Sequence, residues 1–166
     1  MQSISLRWCD LQQKSFQKQT YFGFKVHAIT TSGGAIKAFE ITPANIDDRK
    51  GLEDLSSVVK AGSDILADKG YVSTKLSEKL KEQGQTLLAL KRANARQPYS
   101  PELRKEIFKR RRRIETTFSQ LAEQLNAQRV LAKTFDGLSL RLLTKFLAFN
   151  LCFLLVQSSY IKSLIF

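Results

Sequence analysis

The chain has few of the residues that build disulfide frameworks or zinc sites. It has two cysteines, Cys9 and Cys152, and a single histidine, His27, among 166 residues. The cysteines lie far apart in the sequence, so they give neither a metal-binding spacing nor a disulfide framework. The first ten residues also lack the apolar core of a signal peptide. These scarcities favour a reduced, cytoplasmic setting.

Uninterrupted apolar sequence is also limited. The apolar run from Phe146 to Val156 is about half as long as a membrane-spanning helix needs to be. Arg141, Lys145 and Asn150 place polar groups on or beside this run. The pattern therefore predicts a buried or interface helix from about Leu138 to Gln157, and it argues against a membrane as partner.

Acidic residues are outnumbered, with 15 Asp and Glu against 27 Lys and Arg, which gives a net charge of +12. Ten basic residues and only two acids, Glu102 and Glu106, lie between Lys91 and Arg113, so this segment alone carries +8. Such clustering indicates a polyanionic partner, with nucleic acid first and an anionic membrane second. A solvated helix face is the usual alternative, but five consecutive cations, Lys109 to Arg113, are too many for one face.

The pattern of apolar and turn residues predicts an α/β domain. Alternation over 21–30, a Gly-containing turn and a returning strand over 35–42 indicate a β-hairpin. Further strands are predicted over 65–67 and 85–91, and helices over 49–60, 73–81, from Pro101 onward and 138–157. The order β-β-α-β-α-β-α-α implies a mixed sheet covered by helices. We expect one domain over residues 1–166, with an atypical segment at 1–19.

Two carboxylates are candidates for chemistry. Asp68 ends a short apolar strand, and Glu115 follows the arginine run on a helix, four residues after Arg111. Carboxylates in such positions could hold Mg²⁺ against a phosphodiester, because two-metal sites activate the attacking and leaving oxygens. The alternatives are a simple strand-ending turn at Asp68 and an ordinary i,i+4 ion pair between Arg111 and Glu115.

Several cations are candidates for contact with DNA. Arg110, Arg111, Arg112 and Arg113 form the core of the basic segment. Lys25 and His27 share one face of the first hairpin strand, where they could touch phosphate. A lone histidine on a strand is, however, more often structural.

Four segments, in order, resemble the DDE-class transposases of bacterial insertion sequences. The segments are Tyr21-Phe22-Gly23-Phe24-Lys25-Val26-His27, Thr42-Pro43-Ala44-Asn45-Ile46-Asp47-Asp48, Ala67-Asp68-Lys69-Gly70-Tyr71 and Arg111-Arg112-Arg113-Ile114-Glu115. The resemblance covers about residues 20–157 and is to the C-terminal part of the catalytic domain. Each motif is weak alone, whereas four in the family's order are specific.

The resemblance implies an RNase H-like mixed sheet flanked by helices. It implies that Asp68 and Glu115 are the second and third acids of a catalytic triad, and that they hold Mg²⁺ or Mn²⁺. Arg111 would be the arginine of the family's Tyr-x2-Arg-x3-Glu-x6-Lys signature. The implied activity is metal-dependent cleavage and strand transfer at insertion-sequence ends, with DNA as partner.

The chain also departs from the family pattern. The signature tyrosine falls on Phe108 and its lysine on Ala122. The strand that carries the family's first catalytic Asp is missing or replaced, because Asp10 is the sole acid in the first twenty residues. Residues 4–9 could replace that strand, an upstream fragment could supply it, or the chain could be a truncated, inactive product. A non-catalytic nucleic-acid-binding module and an assembly module that dimerises through 138–157 remain alternatives.

Overall fold

The computed structural model describes residues 3–4, 23–89 and 99–157. Cys9, Asp10, Tyr21, most of the 1–19 segment and residues 90–98, which include the end of the strand predicted over 85–91, lie outside these ranges. Within them, the elements follow the predicted order. Strands are β1 (Ser3–Ile4), β2 (Phe24–Thr30), β3 (Ile36–Pro43), β4 (Asp64–Ala67) and β5 (Thr86–Ala89). Helices are α1 (Asp48–Leu55), α2 (Thr74–Glu82), α3 (Pro101–Gln124) and α4 (Phe135–Gln157).

The described strands form two small sheets, one of β1, β2 and β3 and one of β4 and β5, whereas the sequence predicted a single mixed sheet. β2 and β3 form the antiparallel hairpin, in which Val26 lies opposite Ile41. β4 and β5 pair in parallel, connected by α2. The two-residue strand β1 pairs antiparallel with β2 and also contacts β4. β1 therefore lies beside both the hairpin and β4.

Local signals explain where the short helices begin. Asp47 caps α1, because its side chain accepts a hydrogen bond from the Arg49 amide at 2.9 Å. Ser73 caps α2 by accepting from the Leu76 amide at 3.3 Å. α1 is shorter than the predicted helix over 49–60, because the chain tightens into a 3₁₀ turn at Ser56–Val58.

The chain divides into two compact units, which we call the N-terminal unit (Met1–Thr116) and the C-terminal unit (Thr117–Phe166). The core of the N-terminal unit is a cluster of buried apolar side chains from β2, α1, β4 and α2. Its fully buried members include Ile29, Leu52 and Ile65. The boundary falls within α3, so that helix contributes residues to both units.

In the C-terminal unit, one side of α4 is buried and the other is exposed. Leu142, Phe146 and Phe149 are buried, as are Phe118 and Leu121 of α3. The opposite side of α4 exposes five leucines spaced as one helix face. These are Leu140, Leu143, Leu147, Leu151 and Leu154, which are between 41% and 64% exposed. We call this surface the leucine face.

By length and composition, α4 is the one helix in the described residues that could cross a membrane. The stretch Phe135–Val156 has a mean hydropathy of 1.7. Helices of soluble proteins also satisfy this criterion. The apolar helix begins about ten residues before the run at Phe146, so the length argument against a membrane no longer holds. The charges of Arg141 and Lys145, within the helix, still argue against insertion.

Gly51 packs directly against the imidazole of His27. A Cβ atom at position 51 would lie 2.5 Å from His27 Cδ2 and 2.6 Å from Cγ. Van der Waals contact between carbon atoms requires about 3.5 Å or more. Glycine is therefore required here by close approach between α1 and β2.

We predict that Gly51→Ala destabilises the protein by about 1–3 kcal/mol through overpacking, although alanine in a helix is usually favourable. The free energy of unfolding in urea measures the effect. Gly23→Ala is the matched control, because its Cβ would meet nothing within 4 Å. In a His27→Ala background, Gly51→Ala should be neutral or stabilising. A stabilising effect in the wild-type background would contradict the close packing.

Candidate active site and nucleic-acid interface

Asp68 directly follows β4, at the carboxyl end of a strand whose side chains Ile65, Leu66 and Ala67 are buried. The chain then makes a 3₁₀ turn over Lys69–Tyr71, in which the Tyr71 amide donates to the Asp68 carbonyl oxygen at 3.0 Å. The side chain of Asp68 is partly exposed. A buried strand and a hydrogen-bonded turn therefore fix the backbone that carries this carboxylate.

A buried polar chain ties this turn to the hairpin. The imidazole of His27 is fully buried, with Nδ1 3.2 Å from the Tyr71 hydroxyl and Nε2 3.0 Å from Thr42 Oγ1. Tyr71 itself is only 1% exposed. One histidine thus connects β2, β3 and the turn after Asp68.

A partly buried ion pair lies close to the same turn. The Lys25 ammonium donates to Asp48 Oδ1 at 3.0 Å and to the Ile46 carbonyl oxygen at 2.8 Å. The other oxygen of Asp48 approaches Gly70, where an added Cβ would lie 3.4 Å from it. Lys25 and Asp48 therefore anchor the start of α1 to β2, beside the Asp68 turn.

This burial bears on the prediction that Lys25 and His27 contact DNA. Lys25 is 7% exposed and His27 is 0% exposed, and both make hydrogen bonds within the protein. Both side chains therefore have partners inside the protein, which supports a role in positioning the neighbouring elements. Contact of Lys25 and His27 with DNA stays a prediction.

Glu115 lies on α3, with its side chain half exposed. Its Oε1 is 3.0 Å from Nε of Arg111, one helical turn earlier. That nitrogen makes no well-directed hydrogen bond, so the contact is an ion pair held mainly by charge. The arrangement is the i,i+4 pair that the sequence left open as an alternative to phosphate binding by Arg111.

The first half of α3 presents a cationic surface. Arg112 and Arg113 are exposed, whereas Arg110 and Arg111 are partly buried and paired with acids of the same helix. Three more exposed cations precede them, at Arg104, Lys105 and Lys109. We call the exposed cations from Arg104 to Arg113 the α3 basic surface.

Two carboxylates near these elements have shifted pKa values. The pKa of Glu106 is lowered, because its carboxylate accepts a hydrogen bond from Arg110 at 2.8 Å. The pKa of Glu40 is raised, first by burial and then by the neighbouring charge of Asp54. Glu40 lies opposite His27 in the hairpin, and its raised pKa means that this partly buried position disfavours the charged form of the carboxyl group.

Within residues 3–4, 23–89 and 99–157, no group of three or more His, Cys, Asp or Glu side chains is placed to hold a metal ion. Asp68 and Glu115 are present as two carboxylates, and Glu115 is already paired with Arg111. The described residues thus do not form a complete metal site, and Asp10 lies outside them.

Sequence reasoning missed two polar contacts: the hydrogen bonds of the buried His27 side chain and the ion pair between Lys25 and Asp48. Alternation along β2 correctly placed Lys25 and His27 on one face, but periodicity does not reveal what covers a face. The available signals were Gly51, a glycine inside a predicted helix, and Thr42 and Tyr71 within the segments that the sequence singled out. Only the packing of α1 on the hairpin brings these residues together.

A family model described as a transposase DDE domain matches residues 11–130. The match spans more than half of the 166-residue chain and includes Asp68 and Glu115. A comparison with curated proteins gave no significant match.

We predict that Tyr71→Phe lowers the free energy of unfolding by about 1–3 kcal/mol, because it removes a hydroxyl partner from a fully buried imidazole nitrogen. Urea denaturation measures the loss. Tyr99→Phe is the control: the Tyr99 hydroxyl donates to the Ala89 carbonyl at 3.0 Å, but in a partly buried position, so its loss should be smaller. Equal stability of Tyr71→Phe and wild type would contradict a role for the hydroxyl.

Proposed function

The chain belongs to the transposase DDE domain family, and on this premise we propose that it acts in DNA transposition at the ends of an insertion sequence. In this proposal the α3 basic surface binds the DNA backbone. Asp68 and Glu115 supply carboxylates for phosphodiester cleavage and strand transfer. The family match and the net charge of +12 support a DNA-directed role.

The observation that carries the proposal is the composition of α3. Glu115 lies within one turn of the exposed cations Arg112 and Arg113. Cations at this position attract DNA phosphates through charge and counterion release. A phosphodiester drawn to this surface would therefore lie close to a carboxylate, as cleavage chemistry requires.

Each residue has a role that follows from its contacts. Arg111 holds the Glu115 carboxylate by charge before DNA binds, and a phosphate oxygen could take over the guanidinium by paired hydrogen bonds. Asp68 stays in position through β4 and the turn at Tyr71, which His27 supports. Lys25 and Asp48 steady α1 beside that turn. None of these roles needs His27 or Lys25 to touch DNA.

Divalent ions, Mg²⁺ or Mn²⁺, are the cofactors we propose for the family chemistry. When bound, such ions stabilise charge on the attacking and leaving oxygens of a phosphodiester. The described residues offer Asp68 and Glu115, one carboxylate fewer than a three-acid site. Asp10, or an acid from a complementing N-terminal fragment, would have to complete it. Without that acid the chain is an incomplete or inactive catalytic domain.

We extend the proposal to the fold as an RNase H-like sheet. The mixed α/β structure supports it, as does the place of β1 beside β2 and β4. In such a fold the first strand is central. The described part of this strand is two residues long, Ser3–Ile4. A complementing N-terminal fragment from another chain would pair with the edges of β2 and β4 in place of that strand.

The leucine face supports a homodimer as a further part of the proposal. Its leucines follow spacings of three and four residues, which is the pattern of helices that pack against a second helix. Arg141 and Lys145 would be costly in a bilayer, so we propose a soluble, cytoplasmic protein without a membrane partner.

A non-catalytic nucleic-acid-binding module is the second candidate function. Two observations favour it: the Arg111–Glu115 ion pair, and the lack of a three-acid group among the described residues. It requires only the α3 basic surface. The two functions differ in their need for a divalent ion, because phosphate binding alone needs none.

We predict that Asp68→Asn and Glu115→Gln reduce cleavage by at least about 100-fold, since even outer-shell metal partners account for about 10- to 100-fold. The substrate is a supercoiled plasmid that carries the DNA flanking the gene, with Mg²⁺ or Mn²⁺. Glu102→Gln, an exposed acid of the same helix, should leave cleavage intact. Cleavage that survives both substitutions would remove these acids from the mechanism. Tight DNA binding by wild type without cleavage would instead favour the non-catalytic module.

We predict that replacing Arg112 and Arg113 together by alanine lowers the salt dependence of DNA binding. The slope of log affinity against log salt should fall in magnitude by about 2, because each lost phosphate contact removes roughly 0.9. Fluorescence anisotropy of a labelled duplex over a salt series gives the slope. Lys79→Ala, a cation of α2 paired with Glu53, should leave it unchanged. An unchanged slope in the double variant would contradict binding through α3.

A further inference from the structure

The C-terminal unit contains a cleft that no motif in the sequence indicated. It lies between the 125–134 connection and α4 and has a volume of about 310 Å³. Its lining residues are Arg129, Val130, Leu131, Arg141, Thr144 and Lys145. Three of the six are cationic and none is acidic. The composition of the lining therefore favours binding of an anion in this cleft.

The wall of the cleft formed by the connection is well defined. α3 ends at Gln124, and Asn126, two residues later, adopts a left-handed backbone conformation with φ of 46°. The Ala127 amide donates back to the Leu121 carbonyl in the last turn of α3 at 3.0 Å. The Arg129 amide in turn donates to the Asn126 carbonyl at 3.3 Å. These bonds fix the backbone that carries Arg129.

The two cations of α4 are held by the same connection. Arg141 donates through one Nη to the Leu131 carbonyl, and Lys145 donates to the Leu125 carbonyl. An arginine has five N–H donors and a lysine ammonium has three. Each side chain is thus oriented by one hydrogen bond and keeps other donors for a ligand. The Thr144 hydroxyl donates to the Leu140 carbonyl, so this side chain lines the cleft without a donor for a ligand.

The geometry points to a phosphate-binding cleft in the C-terminal unit, where Arg129, Arg141 and Lys145 receive a phosphodiester group of bound DNA. A phosphate oxyanion is bound by charge-assisted donors, and here the connection and α4 both contribute cations to the lining. The same chemistry would suit free phosphate. The high net charge favours DNA, because a polyanion gains from every cation on the surface. The inference rests on the proposed function and adds a contact outside the α3 basic surface.

Arg129→Ala is the variant that tests the cleft. Arg141 and Lys145 are less suitable, because they also donate to backbone carbonyls and their loss could disturb the local structure. Lys133→Ala, an exposed cation of the same connection outside the cleft, is the matched control. Duplex binding is measured by anisotropy over a salt series. We expect Arg129→Ala to weaken binding and to reduce the salt slope by about 1, Arg129→Lys to retain most of the slope, and Lys133→Ala to match wild type.

A second measurement distinguishes DNA from free phosphate. Thermal unfolding without DNA is compared in inorganic phosphate and in chloride at equal ionic strength. Stabilisation by phosphate that Arg129→Ala removes, together with an unchanged DNA slope, would overturn the DNA contact and leave a site for free phosphate. An unchanged slope without phosphate stabilisation would overturn the cleft as an anion site. Wild-type protein that binds no DNA would overturn the proposed function as well.

Discussion

The buried imidazole of His27 is the contact on which the arrangement around Asp68 depends. Its two nitrogens lie within hydrogen-bonding distance of Thr42 on β3 and Tyr71 in the turn after Asp68, and its ring packs against Gly51 of α1. A polar ring can be buried only if its nitrogens find partners. Burial therefore constrains both strands of the hairpin, one helix and one turn to a single relative arrangement. The Lys25–Asp48 pair adds a second polar link between the same strand and helix.

The arginines of α3 have two roles: some form ion pairs within the helix, and others give the surface its positive charge. Arg110 and Arg111 form ion pairs with Glu106 and Glu115 one turn away, so they contribute little net charge to the surface. Arg112 and Arg113 carry the exposed charge instead. In this run of four arginines, the first two form ion pairs within the helix and the last two expose their charge to solvent. This separation keeps a carboxylate close to a surface that attracts phosphate, without leaving the acid unopposed.

Much of the fold could be predicted from the sequence, because its signals are local. The hairpin follows from alternation and a glycine turn, and the Ser73 and Asp47 caps mark their helices within a residue or two. The contacts of the site were harder to predict from the sequence. The sequence identified Asp68 and Glu115, but it could not tell that Arg111 forms an ion pair or that His27 is buried, because both depend on neighbouring packing. α4 began earlier than predicted, since both of its faces are apolar and periodicity gives no boundary there.

In the homodimer that we propose, pairing through the leucine face of α4 depends on the amount of protein a cell contains. Contact between two such faces is a second-order process, so at low levels the number of paired chains rises with the square of the number of chains. A cell with few copies would hold almost only separate chains, and a modest rise in synthesis would change the paired fraction disproportionately. Pairing through these five exposed leucines would in this way make the paired fraction of the protein depend on gene dosage.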